Sequence, residues 1–369
     1  MRNLIITAFI VCSLLLASSL WTGEAVADQA GEGLAGTWRG FVSKGDTTWH
    51  IAMTLRGKGK SCTGQLIGWR NLPEAVALKG GPGAPPKDYP SAIQYSEDVK
   101  VVQDGDSVLL DSANVRSMIN GNRDLGVDRF RLSYVAPGVL AGIPLTPDGK
   151  PSIGRVLLCT QARWDRPTLP SPTPGERSEI ACFGGDYHYR VYVPKTYDPA
   201  KPAPLLVHSS AGGNSRPWAP ELAEEFGWIS VGLTESKNGP WDPITENRDA
   251  ALFDLRQRLN IDWRKVVFGG ASGAARASAM AQHNHPDICA GLLLSVAGYK
   301  HMPPPPKQVP IFFITGDKDF NLEEVLSCHR ESMKIGRATE LIRHKGGHDH
   351  GGDENIEKAL RWLHGKFGK

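Results

Sequence analysis

The chain has 369 residues, of which 40% are hydrophobic and 22% charged, and its formal net charge is +3. This length exceeds one ordinary hydrophobic core and predicts two domains. Lys and Arg number 42 against 39 Asp and Glu, and no run of basic residues alternates with aromatic ones. Nucleic acid is therefore not an expected partner.

Residues 1–27 have the pattern of a secretion signal peptide. Arg2 precedes an apolar stretch from Leu4 to Leu20, and Ala25-Val26-Ala27 forms a small-x-small cleavage site. Serines interrupt the stretch, which falls short of the ~20 apolar residues that a membrane-spanning helix needs. The sequence predicts a secreted or periplasmic protein without a stable membrane anchor, in a compartment that permits disulfide bonds.

The cysteines that follow the predicted cleavage site are odd in number, so at least one stays outside any disulfide within the chain. Cys62 and Cys159 lie near opposite ends of the N-terminal region and are the preferred disulfide pair. Cys289 opens an apolar run and is expected to be a buried thiol. The full set is Cys62, Cys159, Cys182, Cys289 and Cys328.

Residues 31–162 are predicted to form a small all-β domain, either a sandwich or a barrel. Large apolar side chains recur at every second position from Trp49 to Leu55, and further short apolar runs are separated by turns rich in glycine and proline. Trp38, Trp49 and Trp69 are either core residues of this domain or a sugar-binding face. The sequence leaves both roles open.

Residues 163–178 form the predicted domain boundary. The stretch from Arg166 to Gly175 contains four prolines, which favours a stiff, exposed linker over regular structure. Because the linker separates two regions of different pattern, we expect the C-terminal part to fold and act without the N-terminal part.

Residues 179–369 alternate strand-like and helix-like segments, a pattern typical of an α/β fold with a mostly parallel sheet and helices on both faces. Ligands of such folds bind at the carboxyl ends of the strands. Predicted strands are Tyr187 to Val193, Leu205 to His208, Ile229 to Leu233, Val266 to Gly269, Gly291 to Val296, Ile311 to Ile314 and Glu340 to Arg343. Predicted helices lie near Glu221 to Phe226, Glu246 to Leu259, Ala274 to His283, Leu322 to Met333 and Ile356 to Phe367.

Ser272 is the candidate nucleophile. The segment from Val266 to Arg276 runs from an apolar strand through Ser272, in a turn of small residues, into a helix-forming stretch. A serine in such a turn is exposed, and the helix N-terminus that follows favours negative charge on a bound oxygen. The segment matches G-x-S-x-G except at its last position, which holds Ala274.

Acidic residues and a histidine follow the last two predicted strands. Asp317 and Asp319 come after the strand that ends at Ile314, and His348 follows two glycines. Together with Ser272, they stand at the ends of predicted strands in the chain order serine, acid, histidine. A metal site built from His344, His348 and His350 with Asp349 and Asp353 is a possible role for this histidine-rich loop.

Residues from about Tyr187 to the C-terminus resemble an α/β-hydrolase of the compact secreted group that includes feruloyl esterases, acetylxylan esterases and polyhydroxybutyrate depolymerases. The chain order Ser272, Asp319, His348 matches the family order. The family carries Gly-His at the start of its catalytic loop, so the resemblance implies that His348 takes the proton from the Ser272 hydroxyl and returns it to the leaving group. The family spacing of glycine, two residues and aspartate implies that Asp319, rather than Asp317, orients the imidazole of His348. The resemblance implies that no cofactor or metal is needed, and it does not extend to the N-terminal domain.

The resemblance also implies an oxyanion hole. Gly273 would supply one backbone N–H donor. The family usually has His-Gly where this chain has His208 and Ser209, so the second donor would be the amide of Ser210, with Ala211 as the neighbouring possibility. Loops at the same edge of the sheet carry Trp218, Asn238 and Trp241. Trp218 and Trp241 are candidate substrate-binding residues, and ordinary packing is the alternative.

Together these features predict a secreted serine hydrolase that cleaves carboxylic esters through an acyl-enzyme intermediate. Acylated polysaccharides or polyesters are the preferred substrates. One alternative is a serine peptidase of the prolyl-oligopeptidase type, although the β-domain is too short for the propeller of that group. Another is a non-catalytic glycan-binding protein on a degenerate hydrolase fold, an alternative that rests on Ala274 and Ser209. The sequence does not predict the acyl group, the alcohol or the oligomeric state.

Overall fold

A computed structural model describes residues 33–71, 92–117, 128–300 and 302–367. The predicted signal peptide, residues 1–27, lies outside the described residues. None of the helices within these ranges combines the length and the apolar character that crossing a bilayer requires. The described residues form two sheets, one closed and one open.

The N-terminal sheet is a closed barrel of eight antiparallel strands in chain order. The sequence left a sandwich and a barrel open, and the pairing of the first strand with the eighth makes it a barrel. Alternation places Ile51, Met53 and Leu55 inside, where all three are buried. The strands are β1 (Gly36–Lys44), β2 (Thr47–Lys58), β3 (Ser61–Asn71), β4 (Ala92–Asp104), β5 (Ser107–Ser117), β6 (Arg129–Ala136), β7 (Val139–Pro144) and β8 (Arg155–Thr160).

Tryptophans of the barrel contribute to its core. The Trp38 side chain is buried and its indole N–H donates to the Leu34 carbonyl at 3.0 Å. Trp49 packs at the edge of the same core, edge-to-face with Tyr95 at 5.2 Å. The side chain of Trp69 lies outside the described set. For Trp38 the packing role therefore replaces the sugar-binding one.

The predicted disulfide between Cys62 and Cys159 is wrong. Both thiols are buried and free, as are those of the other described cysteines. Cys62 belongs to the cluster inside the barrel, whereas Cys159 belongs to the cluster outside it and lies 3.5 Å from Nε2 of Gln257. The two side chains therefore leave opposite faces of the barrel wall, and no disulfide can join them. Cys289 is the buried thiol that the sequence predicts.

The second sheet has eight strands and helices on both faces, in agreement with the predicted α/β class. Its order is β16-β15-β14-β13-β11-β12-β10-β9. The six strands from β16 to β12 in this order pair in parallel, and β10 and β9 add antiparallel pairs at one edge. The strands are β9 (Arg177–Ala181), β10 (His188–Tyr192), β11 (Ala203–Ser210), β12 (Ile229–Leu233), β13 (Ile261–Ala271), β14 (Cys289–Ser295), β15 (Ile311–Gly316) and β16 (Thr339–His344).

Six helices are described. Helices α2 and α6 pack on one face of the sheet, and α3, α4 and α5 contribute to the core on the other face. Helices α3 and α4 follow the carboxyl ends of β12 and β13. The helices are α1 (Gln161–Asp165), α2 (Pro220–Phe226), α3 (Trp241–Arg258), α4 (Gly273–Asn284), α5 (Leu322–Lys334) and α6 (Asp353–His364).

The predicted linker, residues 163–178, is mostly exposed but is attached along its length. The backbone N–H groups of Thr168 and Leu169 both donate to the carbonyl of Gln257, at 2.8 and 2.7 Å. Trp164 contacts Phe253 with a ring-centroid distance of 6.4 Å. The last two residues of the range begin β9, a strand that the sequence pattern did not reveal. The segment therefore runs along α3 and is attached to it by these contacts.

The barrel and the α/β sheet share one buried apolar cluster. Phe41 and Leu157 of the barrel belong to the same cluster as Phe253 of α3 and Phe268 of β13. The Phe41 ring lies 6.4 Å from that of Phe253, nearly perpendicular to it. An interface of this kind resembles the interior of one domain, and it opposes the expectation that the C-terminal part folds alone.

A buried polar cluster completes this interface around Asp249 of α3. Its carboxylate accepts from the hydroxyls of Ser43 at 2.6 Å and Thr48 at 2.5 Å, both in the barrel. It also accepts from Nε of Arg248 at 2.9 Å and contacts Nε2 of His285 at 2.8 Å. Burial alone would raise the pKa of Asp249, but Arg248 and His285 outweigh it and hold the pKa below its ordinary value.

Candidate active site

Ser272 lies in the turn between β13 and α4, as the sequence predicts. Its backbone has φ 60° and ψ −126°, a positive φ that non-glycine residues rarely adopt. Gly270 allows the turn, because a Cβ there would stand 2.4 Å from the carbonyl oxygen of Ala274. Ala274 itself is buried and packs in this turn. This chain therefore forms the turn with alanine at the last position of the motif.

Asp319 and His348 are brought together at the ends of neighbouring strands. Asp319 follows β15 and is 6% exposed, and His348 follows β16. Oδ1 of Asp319 lies 2.9 Å from Nδ1 of His348 and also accepts from the backbone N–H of Asn321 at 2.7 Å. When Nδ1 donates to the carboxylate, Nε2 keeps the lone pair that can accept a proton.

Asp317 has a different partner. Its Oδ1 accepts from the backbone N–H of Gly346 at 3.1 Å, in the loop that leads to His348. Asp317 thus contacts the backbone of the histidine loop, and Asp319 contacts the imidazole. The assignment of Asp319 as the orienting acid remains a prediction, and this pair of contacts is the geometry on which it depends.

Phe320 lies beside the candidate catalytic residues and is not among the residues that the sequence singles out. The residue is 78% exposed, and its ring stacks on the imidazole of His348 at 4.0 Å with an interplanar angle of 25°. The sequence did carry a signal for this residue. Phe320 is an aromatic residue directly after the candidate acid, in a loop with no apolar run that would explain it as a core residue. The stacked ring covers one face of the imidazole and leaves an apolar surface beside it.

All three triad candidates lie at the carboxyl edge of the parallel strands. Only β14 separates β13 from β15, which corresponds to about 10 Å across the sheet. The backbone N–H of Ser272 donates to the carbonyl of Ser295 at the end of β14, at 2.9 Å. An ion pair between Arg276 and Glu324 joins the first turns of α4 and α5. The turn that holds Ser272 is thereby attached to the segments that follow β14 and β15.

The candidate oxyanion donors lie on adjacent strand ends. Ser210 ends β11 and is in register with Ala271, the residue before Ser272. A tight turn follows, in which Gly213 N–H donates to the Ser210 carbonyl at 2.9 Å. Ser209 is buried, so its side chain does not reach the protein surface. Gly273 opens α4, where the helix dipole favours negative charge.

The carboxamide of Asn238 lies against Gly273. A Cβ placed on Gly273 would stand 1.8 Å from Oδ1 of Asn238 and 3.2 Å from its Nδ2. The backbone N–H of Asn238 donates to the carbonyl of Ala211 at 2.8 Å. The loop after β12 is thus joined to the loop after β11, and both adjoin the turn at Ser272.

The two candidate substrate-binding tryptophans differ in their surroundings. The Trp218 indole stacks on His208 at 4.0 Å and 13° and packs over Gly269. Burial lowers the pKa of His208 to about 3, so this imidazole is neutral. Trp241 is the first residue of α3 and is partly exposed. A substrate contact remains a prediction for both, and Trp218 also packs on the sheet.

The histidines of the alternative metal site have separate partners. Nε2 of His344 donates to the carbonyl of Asp349 at 3.0 Å, and His350 lies 3.8 Å from Asp353. In the described parts of the chain, no three His, Cys, Asp or Glu side chains come together as a metal site would require. The His348 imidazole instead faces Asp319, an arrangement suited to proton transfer at Nε2.

No family model matches the chain, and a comparison with curated proteins finds no match. Solved structures do match. A ferulic acid esterase is 14% identical with a TM-score of 0.44, over 52% of this chain and 98% of that one. A feruloyl esterase module from Clostridium thermocellum in complex with sinapinate is 15% identical with a TM-score of 0.43, over 55% and 95%. A thermophilic carboxylesterase from a metagenomic library is 14% identical with a TM-score of 0.42, over 55% and 92%.

Proposed function

We propose that this chain is a secreted serine hydrolase that cleaves carboxylic esters through an acyl-enzyme intermediate. The observation that carries the proposal is the contact between Asp319 and His348, at the strand edge that also holds Ser272 in a turn with a positive φ. A hydroxyl in such a turn, a carboxylate-oriented imidazole and a helix N-terminus are the parts that acyl transfer needs.

The proposed reaction has two halves. Oγ of Ser272 attacks the ester carbonyl carbon while Nε2 of His348 takes its proton, and the carbonyl oxygen becomes negative. The tetrahedral intermediate then collapses, the bond to the alcohol oxygen breaks, and Nε2 protonates the departing alcohol. In the second half, water attacks the carbonyl carbon of the acyl-serine while Nε2 of His348 takes a proton from the water. The bond between the acyl carbon and Oγ then breaks, Nε2 returns the proton to Oγ, and the carboxylic acid is released.

The surroundings of these atoms would stabilise the charges that develop. Asp319, buried and within hydrogen-bond distance of Nδ1, stabilises the imidazolium form of His348. The backbone N–H groups of Ser210 and Gly273 are the proposed donors to the oxyanion. Electrostatic stabilisation by such donors is usually the largest single contribution to catalysis.

The proposed substrates are acylated polysaccharides or polyesters. His348 is 26% exposed at its side chain, and the ring of Phe320 beside it is largely open to solvent. An exposed aromatic surface next to the residue that protonates the leaving group suits a bulky alcohol, such as a sugar or the next unit of a polymer.

Labelling with a fluorophosphonate probe tests the proposal directly. We expect the probe to form one covalent adduct, which peptide mass spectrometry locates at Ser272, and we expect no adduct with Ser272→Ala. Turnover of nitrophenyl esters, feruloylated sugars and polyester film then distinguishes the substrate classes. A folded protein that neither reacts with the probe nor hydrolyses any ester would instead be a binding protein.

A further inference from the structure

We propose that Asn238 is a catalytic residue whose side-chain amide donates a hydrogen bond to the oxyanion, beside the backbone N–H of Gly273. This inference rests on the proposed ester hydrolase function and adds to it a donor that comes from the loop after β12. The sequence identifies Asn238 only as a residue of a loop at the same edge of the sheet as the candidate oxyanion donors.

The first support is the direct contact between Asn238 and the residue after the nucleophile. Oδ1 of Asn238 lies 1.8 Å from the position that a Cβ of residue 273 would take, so the two could not be present together. Gly273 therefore has to be glycine for the carboxamide to lie there. Its backbone φ is not in the left-handed region, so the backbone conformation of Gly273 does not itself require glycine.

The second support is that the loop of Asn238 is attached to the other proposed donor loop. The backbone N–H of Asn238 donates to the carbonyl of Ala211 at 2.8 Å. The neighbouring residues Lys237 and Gly212 form an antiparallel β-bridge between the same two loops. Three chain segments, at Ser210, Asn238 and Gly273, thus adjoin one another at the carboxyl edge of the sheet. These contacts fix the backbone of Asn238, so its short side chain is held beside the N-terminus of α4, where an oxyanion donor is needed.

The third support is that the side chain of Asn238 is exposed and has no role in the core. Its carboxamide has an oxygen end and a nitrogen end of nearly equal shape, and a half-turn about χ2 exchanges them. Nδ2 then lies against Gly273, at the start of α4, where negative charge is also favoured by the helix. A substrate carbonyl oxygen that becomes negative there would draw the donor end towards itself.

Two substitutions of Asn238 distinguish a side chain that donates a hydrogen bond from one that only fills space. Asn238→Ala removes the donor, and Asn238→Asp keeps the shape but replaces the donor with a negatively charged acceptor. We expect both variants to lower kcat for a nitrophenyl ester by about 100-fold or more while KM changes little, as loss of one side-chain oxyanion donor does in other enzymes. Asn238→Asp should be at least as slow as Asn238→Ala.

Asn214→Asp is the matched control, because Asn214 is also exposed and lies in the loop after β11, where its backbone N–H donates to the Thr234 carbonyl at 2.6 Å. It should keep kcat within about threefold of the wild type. Thermal unfolding of all three variants should match the wild type. If Asn238→Asp keeps kcat within threefold of the wild type, the side chain is not a donor and the inference is overturned.

Ser272→Ala in the same assay distinguishes a failure of the Asn238 donor role from a failure of the proposed esterase function. If Ser272→Ala is inactive while the Asn238 variants turn over normally, only the role of Asn238 fails. If the wild type itself hydrolyses no ester, or Ser272→Ala is as active as the wild type, the proposed function fails and the donor role fails with it.

Discussion

Ser43 and Asp249 are separated by 206 positions in the chain, yet the Ser43 hydroxyl donates to Oδ2 of Asp249 at 2.6 Å. This bond joins the barrel to helix α3 at a point where both residues are buried. Because the carboxylate also contacts Thr48, Arg248 and His285, the barrel supplies partners for a charge that the α/β part would otherwise expose to solvent.

Asp249→Asn should lower the free energy of unfolding by about 3–5 kcal/mol. The substitution leaves the buried guanidinium of Arg248 without its counter-charge, and the new NH2 group would face hydroxyl groups of Ser43 and Thr48 that themselves donate. Urea unfolding measures this change. Asp242→Asn is the matched control on the same helix: its Oδ1 accepts one bond, from Gly45 N–H at 2.7 Å, so its cost should be near 1 kcal/mol. Equal effects of the two substitutions would contradict a central role for Asp249.

Removal of the barrel should prevent cooperative folding of the α/β part. A chain from Glu176 to Lys369 would expose Phe253 and the other apolar groups that face the barrel, and it would leave Asp249 without two of its donors. We expect this fragment to aggregate or to bind a hydrophobic dye, measured beside the full chain. A soluble fragment with a sharp unfolding transition would restore the expectation drawn from the linker.

Stability should fall as the pH drops below about 6.5. Burial lowers the pKa of His285 to about 4, and burial also lowers the pKa of the neighbouring His50. Between the ordinary histidine pKa of about 6.5 and the folded-state value of about 4, the unfolded chain binds a proton at His285 that the folded chain excludes. Stability that is fully present above pH 6.5 is therefore lost as the pH falls towards 4. The maximal slope is about 1.4 kcal/mol per pH unit for one histidine.

Urea midpoints between pH 7.5 and 5 measure this slope. His285 faces Asp249, Arg248 and His50, and the carboxylate of Asp249 titrates below the window because its pKa is lowered. His285→Gln should therefore be less stable at pH 7.5 but less sensitive to acid. An unchanged pH slope in that variant would show that other groups cause the acid sensitivity.

Ser272→Ala should keep the fold and lose turnover by at least about a thousandfold on any ester that the wild type cleaves, because the nucleophile is removed. The positive φ of this position costs alanine no more than serine. Steady-state rates and circular dichroism check the two halves of the prediction. Turnover within tenfold of the wild type would remove Ser272 from the mechanism.

Asp319→Asn should reduce turnover by about a thousandfold or more, because the amide no longer holds the imidazole in the required tautomer. Asp317→Asn, two residues away, should be mild, since its carboxylate accepts a single backbone N–H from Gly346. The ratio of kcat between the two variants is the measurement. The reverse ranking would transfer the orienting role to Asp317.

The sequence by itself predicted the features that depend on neighbouring residues. The α/β pattern and the turn at Ser272 follow from periodicity and from small residues within about ten positions, and the structure has both. The same local signals could not separate a sandwich from a barrel, because closure depends on β1 pairing with β8, far along the chain.

Only the tertiary structure decided which side chains meet. Two aspartates share one loop, and the path of the chain after β16 brings His348 to Asp319 and Gly346 to Asp317. The proposed pairing of Cys62 with Cys159 failed because strand alternation sends them to opposite faces of the barrel. Residues that are distant in the chain carry no local signal of their contact, so the burial of Asp249 under Ser43 and Thr48 became visible only when the barrel was in place.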